Sequence, residues 1–413
     1  MMANDAVSVS LKGPDGASDV SGGSQLERAA ALLNRLGARF SGELLVIPRR
    51  AFRKALKVAA AFLDFVKAVW SGGEAPPNAD LDPLGDVARL QRAGACVSPV
   101  RLDFLRNASG EPVLIDVNLP GSLVPELFWP LYSALSRDDG TSGASKGARL
   151  DPLLALDREA TRIAGPHWEV HRFLDVASNK PAAQRRFLER VYDFARTRGL
   201  APFHFHDVDV ASGDWERFNS TGGTGGSKIA SVFLNTHNSP RNLLESCERL
   251  LATDLRVFAD PHLLWCTDKR PADLETLECY LPGSRAEFLA GHLPRVLDST
   301  GGVSGGDGEG SLAPPRPVLK RRLGHAGSGL ASASGPSGVH PHPTVLVEGL
   351  RGFQGPRPGW EFEVSVSALL VAEGLKLDVV LPVGLGAKGA PSHPVSGPEA
   401  TLFPTITEEL AEK

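Results

Sequence analysis

Cysteine is scarce, with four residues in 413, at Cys96, Cys247, Cys266 and Cys279. They form no C-x-x-C pair and no zinc-ligand spacing. That argues against a disulfide framework or a zinc ribbon and fits free thiols in a reducing compartment. No stretch approaches the roughly eighteen apolar residues needed to cross a bilayer. The opening MMANDAVSVSLKGPDGASDVSGGS lacks a charged start followed by an apolar core, so no secretory signal is expected and the location is read as cytoplasmic. There is also no long basic run: the 44 lysines and arginines are scattered and the net charge is −4. That argues against a general nucleic-acid or membrane-surface binder. The G-x-S-x-G, H-E-x-x-H, G-x-x-x-x-G-K-[ST] and G-x-G-x-x-G signatures are missing as well.

What is present is the composition of a globular protein, 42% apolar and 22% charged, in a chain long enough for two or three domains' worth of core. Residues 1–23 are polar and Gly/Ser-rich and are expected to be disordered. Ser24 to Glu27 is a capping-box pattern opening a helix to Gly37. ELLVIP (43–48) reads as a strand, and RAFRKALKVAAAFLDFVKAVWSGG as a buried helix ending at Gly72. The middle of the chain alternates strand and helix patterns, with an alternating stretch at APFHFHDVDV (201–210) and strands at IASVFL (229–234) and LRVFAD (255–260), which suggests an α/β layer with some parallel pairing. Residues 299–316, 327–343 and 384–398 are rich in Gly, Ser, Pro and His and read as flexible insertions between β-rich segments. The division expected is therefore 1–23, an α/β region over 24–298, a linker at 299–316 and a sheet-forming region over 317–413.

RLDFLRNASGEPVLIDVNLPGS (101–122) reads as a β-hairpin. Side chains two apart on a strand share a face, so Arg101 pairs with Asp103 and Asp116 with Asn118. A turn at Ala108–Glu111 sets Asp103 opposite Asp116 and Arg101 opposite Asn118. Two carboxylates directly opposed repel, and a divalent cation would turn that repulsion into ligation. A solvated face on which Arg101 neutralises two aspartates accounts for the same residues. His204 and His206 share a face of one strand, but no third ligand is identifiable, so a structural or surface role is expected.

The hairpin resembles the metal-binding hairpin of ATP-grasp ligases, in the glutathionylspermidine synthase-like arrangement, where an R-x-D-F strand precedes an L-x-E-x-N strand followed by proline. Here the segments are RLDF and LIDVNLPG. Three further segments resemble the family in its own order: VFADPHLLWCTDKR (257–270), RPVLKRRLGHAGSGL (316–330) and TVLVEGLRGFQGP (344–356). The resemblance implies an α/β (α+β) fold of the ATP-grasp type with an N-terminal α/β region ahead of it. It implies Asp103, Asp116 and Asn118 as Mg2+ ligands and Arg101 as partner of the transferring phosphate. It further implies Lys269 and Lys320 on the ATP phosphates, a Gly-rich flap at Gly324, Gly327 and Gly329, and Glu348 at the adenine edge.

The activity implied is an ATP-dependent carboxylate–amine ligase working through an acyl-phosphate. Its cofactors would be ATP and Mg2+, and its substrates a small-molecule or peptide carboxylate and an amine acceptor. The alternative is a non-catalytic relative that binds a nucleotide or a partner. Two departures bear on the choice: Asp116 stands where the family has Glu, and no arginine follows Arg357, where the family places a phosphate-contacting one. The substrates and the oligomeric state are not legible in the sequence.

Overall fold

The computed structural model describes residues 7–9, 44–47, 49–72, 76–80, 97–118, 168–175, 203–208, 227–232, 248, 256–258, 265–297, 317–322, 330–332, 344–354, 360–371, 381–388 and 401–407. Within these, helices and strands mix in an α+β arrangement. The helix expected from Ser24 to Gly37, the linker at 299–316 and the flap glycines Gly324, Gly327 and Gly329 lie outside the described residues.

Helix α1 (Arg49–Gly72) carries buried Ala55, Val58, Phe62, Phe65 and Val69. Their three- and four-residue steps make one apolar stripe on a 3.6-residue helix. That stripe packs on the hairpin of β3 (Val97–Arg106) and β4 (Pro112–Asn118), where Leu102, Phe104, Leu114 and Val117 point toward it. Two short helices, α2 (Leu274–Tyr280) and α3 (Gly283–Ala290), close the same core through Leu277, Ala286 and Leu289. Phe65 sits between them, edge-on to Trp265 at 5.6 Å and to Tyr280 at 5.7 Å between ring centres.

The hairpin belongs to a sheet drawn from both ends of the chain. It runs from β1 (Val7–Val9) and β2 (Leu44–Ile47) through β15 (Thr401–Thr407), β14 (Leu381–Lys388) and β13 (Trp360–Val371) to β3 and β4, with β12 (Phe353–Gln354) paired on β13. Val7–Val9 pairs with Leu44–Val46, inside the segment expected to be disordered, and β14 continues to Lys388 along β13, into a stretch read as flexible. A separate four-stranded parallel sheet has the order β6 (Phe203–Val208), β5 (Trp168–Asp175), β7 (Ser227–Val232), β8 (Arg256–Phe258). The alternating stretch at 201–210 and the strands expected at 229–234 and 255–260 each overlap a strand of it. A three-stranded antiparallel sheet places β9 (Val318–Arg321) between β10 (Leu330–Ser332) and β11 (Thr344–Val347).

Candidate active site

The hairpin has the register expected for its charged residues, reached by a different route. Arg101 is opposite Asn118, and Asp103 is opposite Asp116. The loop, however, spans Asn107–Glu111. Gly110 N–H donates to the Asn107 carbonyl, Asn107 N–H donates to the Glu111 carbonyl, and Gly110 takes φ +81°. The Asn107 side chain accepts from the Ser109 and Glu111 N–H groups, which holds the turn in shape. This longer loop alone would slip the pairing by one residue. A bulge between Asp103 and Phe104 on one strand and Leu114 and Asp116 on the other restores it, with Ile115 as the extra residue.

The bulge decides which way Asp116 faces. Phe104 and Leu114 are paired on the core side, and simple alternation from Leu114 would turn Asp116 toward the core. The extra residue sends Asp116 to the other face, beside Asp103 and Arg101. Backbone groups beside the bulge are met by residues far along the chain. Leu114 N–H donates to the His292 carbonyl at 2.8 Å, and the Ile115 carbonyl accepts from Lys320 Nζ at 3.3 Å.

Around this face the structure gathers charges from distant segments. Arg101 Nε and Nη2 donate to Asp103 Oδ2 at 3.1 and 2.8 Å, and the Asp103 side chain is only 2% exposed. Lys269 contacts Asp116. Lys320, buried in the central strand of its sheet, reaches the bulge. Glu363, on β13, joins them from the strand next to β3. In that pairing Val364 and Val366 face Phe104 and Leu102 in the core, which turns Glu363 to the side of Asp103.

Burial sets the protonation balance of the cluster. It pushes the Glu363 carboxyl well above the usual range; the adjacent Asp103 adds to the rise, and Arg101 and Lys320 oppose it. Burial pulls Lys320 down to about 8 against the attraction of Glu363 and Asp103. It pulls Lys269 down to about 7, helped by the like charges of Lys320 and Arg101 and opposed by Asp103 and Glu363. Arg101 is held more firmly charged than usual, because Asp103 and Glu363 together outweigh the burial that disfavours its charge.

A second buried pair anchors the Lys269 segment. Arg322, just after β9, donates to Asp268 through Nη2 at 2.6 Å and Nε at 3.1 Å, and Lys269 N–H donates to the Arg322 carbonyl at 2.8 Å. Desolvation works against the Arg322 charge and is outweighed by Asp268, with Asp80 adding to it. The two lysines are thereby fixed relative to one another through Arg322, two residues beyond Lys320.

Of the residues singled out in the sequence, Arg101, Asp103, Asp116, Lys269 and Lys320 converge. Asn118 is in register opposite Arg101, and its side chain lies outside the described set. Gly324, Gly327 and Gly329 lie outside the described residues. Glu348 follows β11, where its carboxylate accepts from Arg295 N–H at 3.1 Å and its own N–H donates to the Arg295 carbonyl at 2.9 Å. His204 is opposite His171 in the parallel register. Among the described residues no three His, Cys, Asp or Glu converge to hold a metal ion by themselves. Sequence reasoning missed Glu363, Arg322 and Asp268.

The fold has a solved counterpart. A glutathione synthetase like-effector from Globodera pallida, in its apo form, matches with a TM-score of 0.53 over 93% of this chain and 96% of that one, at 12% identity. A structure described as a putative gamma-glutamylcysteine synthetase from Methylobacillus flagellatus KT matches at a TM-score of 0.37 and 11% identity, over 84% of this chain and 86% of that one. The sequence matches no family profile and no curated protein. At these identities the likeness to the effector is one of fold. No helix among the described residues is long and apolar enough to cross a membrane.

Proposed function

We propose that the protein is an ATP-dependent carboxylate–amine ligase of the ATP-grasp type. The observation that carries this reading is the convergence of Arg101, Asp103, Asp116, Lys269 and Lys320 on one face, from three well-separated segments of the chain. With all six groups ionised, Arg101, Lys269 and Lys320 balance Asp103, Asp116 and Glu363. Burial drives Glu363 toward its neutral form and lowers Lys269 and Lys320 as well, and a polyphosphate would draw protons back onto both lysines and meet a positive site.

The donor set fits Mg2+ in a particular way. Asp103 and Asp116 offer hard oxygen ligands across one strand pair, with Asn118 beside them in register. Two carboxylates among three cations are a poor trap for a bare divalent ion. They are a good one for an ion that arrives with phosphates completing its shell. Mg2+ held there would neutralise charge on the transferring phosphoryl group. In this reading Lys269 and Lys320 would bind the phosphates as point charges, Arg101 would hold the γ-phosphate and Glu348 would border the adenine, while the flap role of Gly324, Gly327 and Gly329, which lie outside the described residues, rests on the resemblance alone. A substrate carboxylate oxygen bonds to the γ-phosphorus as ADP leaves. An amine nitrogen then bonds to the acyl carbon, the C–O bond to phosphate breaks, and the ammonium sheds two protons on the way to the amide.

The second reading is nucleotide binding without turnover. It is favoured by the shorter Asp116, already engaged by Lys269, and by the absence of an arginine after Arg357. Calorimetric titration of ATP with and without Mg2+, on wild type and an Asp116→Asn/Asn118→Ala double variant, tests the site. Binding that needs the metal and falls at least tenfold in the double variant is expected. ADP release that depends on both a carboxylate and an amine then identifies the ligase. Metal-independent binding with no ADP release leaves the second reading.

A further inference from the structure

The four-stranded parallel sheet carries chemistry that the hairpin site does not use. Its register sets His171 of β5 opposite His204 of β6, and Phe173 opposite His206. On the other side of β5, Glu169 is opposite Lys228 of β7 and His171 is opposite Ala230. Residues paired in register, and residues two apart along a strand, lie on one face of a sheet. Glu169, His171, Asp175, His204, His206 and Lys228 therefore share a face. The opposite face is dominated by Trp168, Val170, Leu174, Phe203, Phe205 and Ile229. A parallel sheet packed on both sides reads as apolar on both. This one is mostly apolar on one face alone.

The sequence by itself offers His204 and His206 without a third ligand, and the strand pairing supplies His171. Two residues along a parallel strand span about 6.6 Å, which separates His204 from His206, and one strand spacing of about 4.8 Å separates His204 from His171. The third side of the triangle, from His171 to His206, is about 8 Å. Three imidazoles rising from such a triangle on one face can close on a single ion at the roughly 2.0–2.1 Å of a zinc–nitrogen bond. Among the described residues no three such side chains meet without a metal; the register fixes the positions from which an ion would draw them together.

Other ligands suit these positions less well. Mg2+ seeks oxygen, and the two carboxylates of this face stand on either side of His171 along β5, with Glu169 opposite Lys228. An anion would meet three imidazoles that are mostly neutral at pH 7 and one lysine already opposite a glutamate. We propose that His171, His204 and His206, set side by side by the parallel pairing of β5 with β6, form a site for a zinc-type divalent ion. Neutral imidazole nitrogens suit zinc, copper and nickel, whereas magnesium and calcium take oxygen. Three protein ligands leave a fourth position for water or an incoming ligand, the arrangement of a reactive rather than a closed structural zinc. Zinc binding here needs neither ATP nor the hairpin carboxylates.

The test is competition of the full chain, stripped of metal with a chelator, against a chromophoric zinc indicator. One Zn2+ per chain is expected, undisturbed by a large excess of Mg2+. His171→Asn and His206→Asn are each expected to weaken zinc at least tenfold, since even groups behind the ligands of such sites are worth about that much. His340→Asn/His342→Asn, which alters the other H-x-H pair in the sequence, is expected to leave the affinity unchanged. X-ray absorption at the metal of the Zn2+- and Co2+-loaded wild type requires no variant to fold, and three imidazole ligands with no sulfur are expected. No stoichiometric zinc binding, a sulfur ligand, full affinity in folded His171→Asn, or loss of affinity in His340→Asn/His342→Asn overturns the site.

Discussion

Lys320 occupies a place where a lysine is costly: the middle strand of a sheet, 7% exposed, with Glu363 and Asp103 as the charges that attract it. Its ordinary value near 10.5 falls to about 8 in the folded protein. Between these values the unfolded chain holds more protons than the folded one, so stability rises with pH across that window and the burial cost is felt in full below it. Glu363 acts with the opposite sign: its raised value means that stability is lost as pH climbs above the ordinary carboxylate range. In urea denaturation of the free protein, Lys320→Met is expected to lower the slope of stability against pH between 8 and 10 by up to about 1.4 kcal/mol per pH unit, the value for one proton. An unchanged slope means that Lys320 does not titrate in that window. Nucleotide affinity should run the other way. A polyphosphate draws protons onto Lys269 and Lys320, so ATP is expected to bind more weakly at pH 9 than at pH 7, and this difference should shrink in Lys320→Met.

At the scale of elements, the hairpin joins a turn to a bulge, and each corrects the other. The glycine in the turn takes a positive φ and nothing lies within 4 Å of where a Cβ would stand. Substitution there therefore tests backbone conformation alone. Gly110→Ala is expected to cost about 1 kcal/mol in chemical denaturation, and Gly110→Asn less, because asparagine visits that region more readily. Equal costs for the two would place the penalty elsewhere than in φ. The hairpin also marks where the sequence could be read and where it could not. Counting outward from a turn at Ala108–Glu111 sets Asp103 opposite Asp116 only because the longer real loop and the bulge offset one another, whereas α1 is plain in the spacing from Ala55 to Val69. The bulge at Ile115 has no local signature, because its backbone groups are satisfied by His292 and Lys320, far along the chain. Glu363 escaped for a related reason. In WEFEV (360–364) the glutamates alternate with apolar residues, the usual mark of a strand with one wet face, and only the neighbouring strand reveals that this face is buried. Asp268 and Arg322 likewise look like surface charges until the strand end and the 265–270 segment are seen together.

Over the whole molecule, the site is held together by a core that its own residues do not enter. Asp116 and Lys269 are 153 residues apart in the chain, and each is a short step from the cluster around Phe65: Asp116 lies between Ile115 and the core residue Val117, and Lys269 follows Trp265 by one turn. Phe65 is 2% exposed and touches the rings of Trp265, Tyr280 and Phe62. Phe65→Ala is expected to destabilise by about 3–5 kcal/mol through the cavity it leaves, whereas Phe65→Leu, which keeps most of the volume, should cost appreciably less. The same substitutions separate two ways of positioning Lys269. If the core sets its place, Phe65→Ala weakens ATP binding several-fold under conditions where the variant is still folded, and Phe65→Leu recovers most of the loss. If the Arg322–Asp268 pair and the backbone bond from Lys269 to Arg322 suffice, ATP affinity is unchanged while stability falls. The first outcome is expected, because Asp268 is tied to the turn at 76–80 through Asn78 and through Arg322 to Asp80, and that turn comes next after α1 among the described residues. Loosening α1 therefore loosens both sides of the pair that fixes the lysine.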